Sequence, residues 1–290
     1  MNASSAISTR QRPFAQVDVF SDRAGYGNGL AVILDGEGLS TEQMQRFTDW
    51  TQLSECTFFL PPTTAAAAAG ADYRVRIFCP GRELPFAGHP TLGSCHAWLA
   101  AGGQPKGEYV VQECGIGLVP LRREGTRLAF AAPPLRRGGP LPAARIDELA
   151  QALCVPADEV IAGAWCDNGP GWQGLLLRSA DAVLAARPVG TALLGAEVGL
   201  IGPHTAGGDF AFEVRAFFPG ANGVAEDPVT GSLNAALAQW LIGAGLAPQR
   251  YVARQGTQLK RDGRVYVEQV GDKIWIGGDV VTCISGQVLL

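Results

Sequence analysis

Charge is scarce in this chain: 17% of its 290 residues are Asp, Glu, Lys or Arg, and only Lys106, Lys260 and Lys273 are lysines. With 47% hydrophobic residues and a net charge of −4, it buries a sizeable core, which excludes intrinsic disorder. There is no Lys/Arg-rich run, so neither nucleic acid nor an anionic membrane is an expected partner. No apolar stretch approaches ~18 residues, the length a spanning helix needs. The opening MNASSAISTRQRPF has no apolar centre of the secretory kind and reads as a ragged tail, so the expected location is the cytoplasm. Seven cysteines occur without a C-x-x-C pair, which fits free thiols better than a disulfide framework. Three histidines, His89, His96 and His204, are too few for a His-rich metal site. A phosphate-binding G-x-x-x-x-G-K-[ST] loop is missing, and Gly25-Tyr26-Gly27-Asn28-Gly29 has the wrong spacing for a dinucleotide turn. No metal and no cofactor are expected.

Glycine (38) and proline (19) are plentiful instead, close to a fifth of the chain against an average nearer ~12%. Short runs rich in Val, Ile, Phe and Tyr recur between them, as in Phe14–Phe20, Leu30–Leu34, Thr57–Leu60, Tyr73–Cys79 and Phe210–Phe218. Such runs predict strands. Helical composition marks Pro90–Ala101 and Leu233–Ala244. Thr41–Thr51 follows a capping-box pattern, Ser40 with Gln43, and Ile146–Leu153 is a fourth short candidate. Ala65–Ala69 has no amphipathic period and reads as a loop, and Pro133–Pro142 reads as a linker. The class is α+β.

An internal repeat organises the chain. Val75-Arg76-Ile77-Phe78-Cys79-Pro80-Gly81 and Val214-Arg215-Ala216-Phe217-Phe218-Pro219-Gly220 agree at five of seven positions at an offset of 139. After four inserted residues, Ala221–Val224, the match resumes at 143: Glu83, Pro85, Gly88, Ala101 and Gly102 meet Glu226, Pro228, Gly231, Ala244 and Gly245. Both copies read strand, Pro-Gly turn, Glu-x-Pro-x-x-Gly, alanine-rich helix. Duplication predicts two pseudo-symmetric domains, 1–135 and 136–290, with the last strand free to return to the first.

Each unit places a glycine, Gly88 or Gly231, immediately before a helix. The free N–H groups of a first turn, with the helix dipole, bind anions. Two such starts facing one cleft would hold a small carboxylate and stabilise enolate-like charge beside it. Glu226 matches Glu83 and reads as structural. Asp227 matches Leu84, so its carboxylate is not a requirement of the repeat. His89 and Ser232 occupy matching positions; a helix cap explains Ser232, while His89 is a proton-transfer group near neutral pH. His96 reads as a packing residue.

Glu226–Ser232 (EDPVTGS), Pro85–Thr91 (PFAGHPT) and Leu53–Phe58 (LSECTF) resemble the signature segments of the PhzF-like family. The opening FAQVDVF…GNGLAVIL and closing IWIGGDVVTCISG are similar to it too, so the likeness spans nearly the whole chain. Membership implies a diaminopimelate-epimerase-like fold, each half a curled, mainly antiparallel sheet around a central helix, with the site between halves and commonly a homodimer. It implies Glu55 as principal acid/base, with His89 and Asp227 in support. Gly88, Gly231 and Ser232 would hold a small carboxylate substrate, with Asn234 near the ligand. The family's Gly-Asn-Pro is Gly27-Asn28-Gly29 here, and its Ala-His after Gly-Ser is Leu233-Asn234. The implied activity is a cofactor-independent isomerase moving a proton between carbons of a small unsaturated carboxylate. A racemase or epimerase and a non-catalytic binding protein on the same scaffold remain as alternatives. No cysteine lies in either turn, which disfavours a thiol pair.

Overall fold

The computed structural model describes residues 9–189, 193, 195–220 and 223–290. The first eight residues of the tail, and 221–222 of the inserted segment, lie outside the described residues. The first half runs β1 (Gln11–Val19), β2 (Asn28–Ile33), α1 (Thr41–Thr51), β3 (Glu55–Leu60), α2 (Thr64–Ala68), β4 (Tyr73–Cys79), β5 (Arg82–Leu84), α3 (Gly88–Ala100), β6 (Val110–Cys114), β7 (Gly117–Glu124) and β8 (Arg127–Ala131). The second runs α4 (Ala143–Ala152), β9 (Val160–Trp165), β10 (Gln173–Leu177), α5 (Ala180–Ala185), β11 (Val198–Pro203), β12 (Phe212–Gly220), β13 (Gly223–Asp227), α6 (Gly231–Gly243), β14 (Arg250–Gln255), β15 (Gly263–Val270), β16 (Lys273–Gly278) and β17 (Val280–Leu289).

The strand pairing repeats step for step. β1–β2 is antiparallel, β2–β3 parallel and β3–β4 antiparallel; β4 then pairs antiparallel with β5 and parallel with β6, and β7 and β8 follow antiparallel. β9 to β16 reproduce that sequence of pairings in the same order. An antiparallel joint between β8 and β16 makes the two ladders continuous. β17 has no counterpart and returns to pair with β1. The repeated arginine and glutamate form the same forked ion pair in each half, Arg76 with Glu83 and Arg215 with Glu226. Glu226 is therefore a structural residue linking β12 to β13.

Each half curls around one helix that is apolar on nearly every side, the pattern of a buried helix. α3 touches β1, β2, β3, β6 and β8. The fit is tight: a methyl on Gly93 would stand 2.5 Å from Leu30 Cδ2 and 3.0 Å from the Cγ2 atoms of Val17 and Val19. In the second half a methyl on Gly199 of β11 would stand 2.3 Å from Leu233 Cδ1 of α6. Helix α1 starts as its capping box predicts, Ser40 accepting from Gln43 N and Gln43 accepting from Ser40 N.

Two expectations are corrected. Residues 65–69 do not form a loop: α2 covers Thr64–Ala68, because Thr63 accepts from Ala66 N at its start and Ala66 is buried beneath it. Alanine's helix propensity, once capped, needs only one buried face to hold a single turn. α4 spans Ala143–Ala152 rather than 146–153, since the turn at Pro142 admits the helix three residues earlier.

Candidate active site

Helices α3 and α6 meet end to end. Each begins two residues earlier than expected, so Gly88 and Gly231 are first helical residues rather than residues before the helix. A methyl on Gly88 would stand 3.1 Å from Gly231 Cα and 2.8 Å from Phe130 Cζ, and one on Gly231 would stand 3.1 Å from Gly88 Cα. Only glycine lets the two backbones touch. The N-cap residues, Ala87 and Thr230, offer no side-chain cap, so first-turn N–H groups converge from both halves uncapped by side chains. Ser232 is thus not the cap of α6; it lies within the first turn, as His89 does in α3.

Glu55 opens β3, beside Leu30 of β2. Its Oε2 lies 3.2 Å from His89 Nε2, close enough for proton transfer but not aligned as a hydrogen bond. Both atoms are buried without a partner among the described residues. Asn28, at the start of β2, donates from Nδ2 to Asp227 Oδ1 (3.0 Å) and to the Val229 carbonyl (3.0 Å), bridging the halves. The same Nδ2 lies 3.5 Å from His89 Nδ1. Thr230 Oγ1 donates to Asp227 Oδ2 at 2.5 Å, and Gln255 Nε2 donates to Thr230 Oγ1 and to the Asp227 carbonyl. Glu55, His89 and Asp227, separated by up to 172 positions, are brought to one place.

In the first turn of α6, Ser232 Oγ accepts from Trp172 Nε1 (3.0 Å), and its carbonyl accepts from Asn168 Nδ2 (2.8 Å). Asn234, expected near the ligand, is held by the protein itself. It is 2% exposed, and its Nδ2 donates to the Thr230 carbonyl and Gln255 Oε1. The matching Thr91 is likewise bound by a buried glutamine, Gln112, so this helix position is a packing position in both halves.

A model of the phenazine biosynthesis-like (PhzC-PhzF) family matches residues 17–286. The chain belongs to that family. It is 36% identical to the Schizosaccharomyces pombe protein called antisense-enhancing sequence 1, covering 96% of this chain and 98% of that one. It is 33% identical to a trans-2,3-dihydro-3-hydroxyanthranilate isomerase from Pseudomonas aeruginosa, covering 89% and 90%. The solved structure of a predicted epimerase from Pseudomonas aeruginosa superposes with a TM-score of 0.78 at 29% identity, over 96% of this chain and 99% of that one. This PhzF-family chain is accordingly an enzyme of the isomerase class.

Burial dominates the electrostatics of this PhzF-family site. It pushes Glu55 well above the usual carboxylate range, with the nearby Asp227 charge adding to the effect. Burial pushes Asp227 up to about 6, while the hydrogen bonds from Thr230 and Asn28 pull it back. Burial lowers His89 to about 3, so its imidazole is neutral at physiological pH. Its Nδ1 faces the Asn28 amide nitrogen, whose two hydrogens go to Asp227 and Val229, and its Nε2 faces Glu55. Strand register adds a residue that sequence reading missed. Phe78 and Phe217 are repeat mates; they face Cys56 and Val198, so Glu55 corresponds to Glu197. Burial pushes Glu197 up to about 7, with Arg82 of the first half pulling it back and Asp167 adding to the rise.

Among the described residues no group of His, Cys, Asp and Glu is placed to hold a metal, and no helix is long and apolar enough to cross a membrane. His96 Nε2 pairs with Thr282 Oγ1 at 2.9 Å. A cavity of about 750 Å³ lies elsewhere, near the C-terminal end of α6 beside Gln239 and Ile274. It has none of the acid/base groups, so the chemistry is placed by the carboxylates and not by this hollow. Cys56 faces away from Glu55 into the cluster of Met44, Phe47, Phe58 and Phe78, and burial pushes its thiol up to about 11. A Cys56→Ala variant is expected to keep turnover within about threefold of wild type, because an un-ionised thiol on the far face does no chemistry. Steady-state rates check this; a hundredfold loss would give the thiol a role.

Proposed function

We propose that this chain is a cofactor-independent isomerase in which Glu55 moves a proton between carbons of a small unsaturated carboxylate. The observation that carries the reading is the pair of unpartnered atoms Glu55 Oε2 and His89 Nε2, 3.2 Å apart, with Asp227 of the other half beside them. Burial makes Glu55 a stronger base than a free carboxylate, and its conjugate acid is the form that returns the proton. As carboxylate, Glu55 takes a proton from carbon; the C–H electron pair passes into the conjugated frame. The converging helix starts stabilise the developing enolate charge. Glu55 then gives the proton to another carbon of the frame, so substrate and product have the same composition. Neutral His89, with Nε2 3.2 Å from Glu55 Oε2, stands within proton-transfer reach of the carboxylate.

The named relatives supply the first substrate to try. Wild type is expected to place deuterium on carbon when trans-2,3-dihydro-3-hydroxyanthranilate is followed by proton NMR in D₂O. Absence of exchange with that compound and with a panel of small unsaturated carboxylates, in folded protein, overturns the reading. A pH profile supplies a second check. Because the base must be ionised and burial raises it, kcat/KM should climb with pH through a range well above 4.5, the ordinary value for glutamate. An ascending limb at the ordinary value would mean that Glu55 works as an exposed carboxylate.

Glu197 favours a second reading, epimerisation between two carboxyl groups. Its place as the register mate of Glu55 fits a second base working from the other half. Under that reading Glu197→Gln abolishes inversion; under the first it leaves isomerisation nearly intact.

A further inference from the structure

We propose that Asn168 and Trp172 make the turn at Ser232 a two-point reader for a carboxylate bearing an N–H or O–H group beside it. This rests on the isomerase reading only in taking the cleft as the ligand site. An indole N–H can donate but not accept. Ser232 Oγ therefore uses a lone pair on Trp172 Nε1, at 3.0 Å, and its own hydrogen is left to donate toward an anionic oxygen. Trp172 is buried, so this orientation is held by packing.

Asn168 supplies the complementary group. Its Nδ2 donates to the Ser232 carbonyl at 2.8 Å, which fixes which end of the amide is oxygen. Oδ1 is then buried and has no partner among the described residues. A buried acceptor left unpaired is costly, and a donor arriving with the ligand would satisfy it. The loop is not slack. Asp167 Oδ1 accepts from Gly169 N (2.7 Å) and Gly171 N (3.0 Å), and its carbonyl accepts from Arg136 N and Arg137 N.

Register shows why the loop lies here. Ala31 and Gln173 face the mates Cys56 and Val198, so Gly27-Asn28-Gly29 corresponds to Gly169-Pro170-Gly171. Asp18 Oδ2 accepts from Gly27 N as Asp167 accepts from Gly169 N. One loop is thus laid over each helix start. In the first half its Asn28 serves His89 and Asp227; in the second, flanking Asn168 and Trp172 serve Ser232. Duplication supplied one scaffold, and the two copies divide proton handling from ligand reading.

Equilibrium binding of benzoate, a bare carboxylate, and anthranilate, which adds an amine next to it, tests the assignment. Wild type is expected to prefer anthranilate by about tenfold, the scale of one well-made hydrogen bond. Asn168→Leu should erase that preference by weakening anthranilate about tenfold more than benzoate, since Oδ1 is lost along with the Nδ2 bond to the Ser232 carbonyl, and Asn168→Ala should do the same without added bulk. Trp172→Phe should weaken both probes about tenfold in the wild-type background and cost nothing further in Ser232→Ala. A merely structural role would lower both probes together at Asn168, and would make the Trp172 loss additive with Ser232→Ala. Those outcomes overturn the proposal, as does wild type that binds neither probe or does not distinguish them. A protein that reads the probes as stated but never exchanges a carbon-bound proton overturns the isomerase reading alone. One that exchanges protons without this dependence overturns the present inference alone.

Discussion

Glu55→Gln is expected to abolish carbon-proton exchange, by about 10³-fold or more, while the protein stays folded and still binds a small carboxylate. General acid/base groups typically contribute about 10²–10⁴-fold, and here Glu55 is proposed to act in both directions of the transfer. Glutamine keeps the shape of Glu55 and removes its ionisation. Stability should respond as well. A carboxyl raised by burial holds its proton longer in the folded state than in the unfolded chain. Wild type therefore loses stability as pH rises from the unfolded value near 4.5 toward the raised folded value, and Glu55→Gln does not. The variant should gain on wild type between pH 4 and pH 8, by about 1.4 kcal/mol for each pH unit of the elevation. Denaturation at both pH values checks the sign, and NMR in D₂O checks the chemistry. Exchange at more than a tenth of the wild-type rate in folded Glu55→Gln would move the base to another residue.

Gly231→Ala is expected to cost about 1–3 kcal/mol of stability and at least about a hundredfold in turnover. The added methyl would stand 3.1 Å from Gly88 Cα, and backbone cannot rotate aside as a long side chain can. Overpacking of this kind costs about 1–3 kcal/mol. Relief requires the two helix starts to part, and Asp227 would move with α6 away from Glu55 and Asn28. Displacements near 1 Å in an assembled site cost about 10²-fold in rate. Gly88→Ala should behave alike, since its methyl would also meet Phe130 Cζ at 2.8 Å. Gly243, at the far end of α6, has nothing among the described residues within 4 Å of where a methyl would stand, so Gly243→Ala should be neutral or slightly stabilising. Urea denaturation and proton-exchange rates of the three variants decide the matter. A Gly231→Ala protein as stable and active as wild type would mean that the contact between helix starts is slack.

Much of the architecture was legible because duplication leaves its mark locally. The Val-Arg-x-Phe-x-Pro-Gly run and the Glu-x-Pro-x-x-Gly run together code a strand, a turn and a helix start within about 28 residues. Neighbouring residues decide such elements by side-chain alternation, turn chemistry and helix composition. Arg76 with Glu83, and Arg215 with Glu226, show the outcome: a spacing visible in the chain becomes the same ion pair twice. The capping box at Ser40 is equally local. The helix boundaries were less legible, since Gly88 and Gly231 look like residues before a helix until a neighbouring backbone is seen against them.

The sequence by itself determined the α+β class, the internal repeat, the two buried helices and, through family likeness, Glu55, His89 and Asp227 as the residues to watch. Tertiary structure alone decided what those residues do to one another. Asn28 reaches Asp227 across 199 positions, and Asn168 and Trp172 reach Ser232 across 64 and 60. Asn234 was drawn inward by Gln255, and Glu197 became the mate of Glu55 through strand register rather than through any motif. The physical reason is the same in each case. Hydrogen-bond direction and burial depend on which distant strand lies alongside, and a carboxylate's proton affinity depends on the water that those strands exclude.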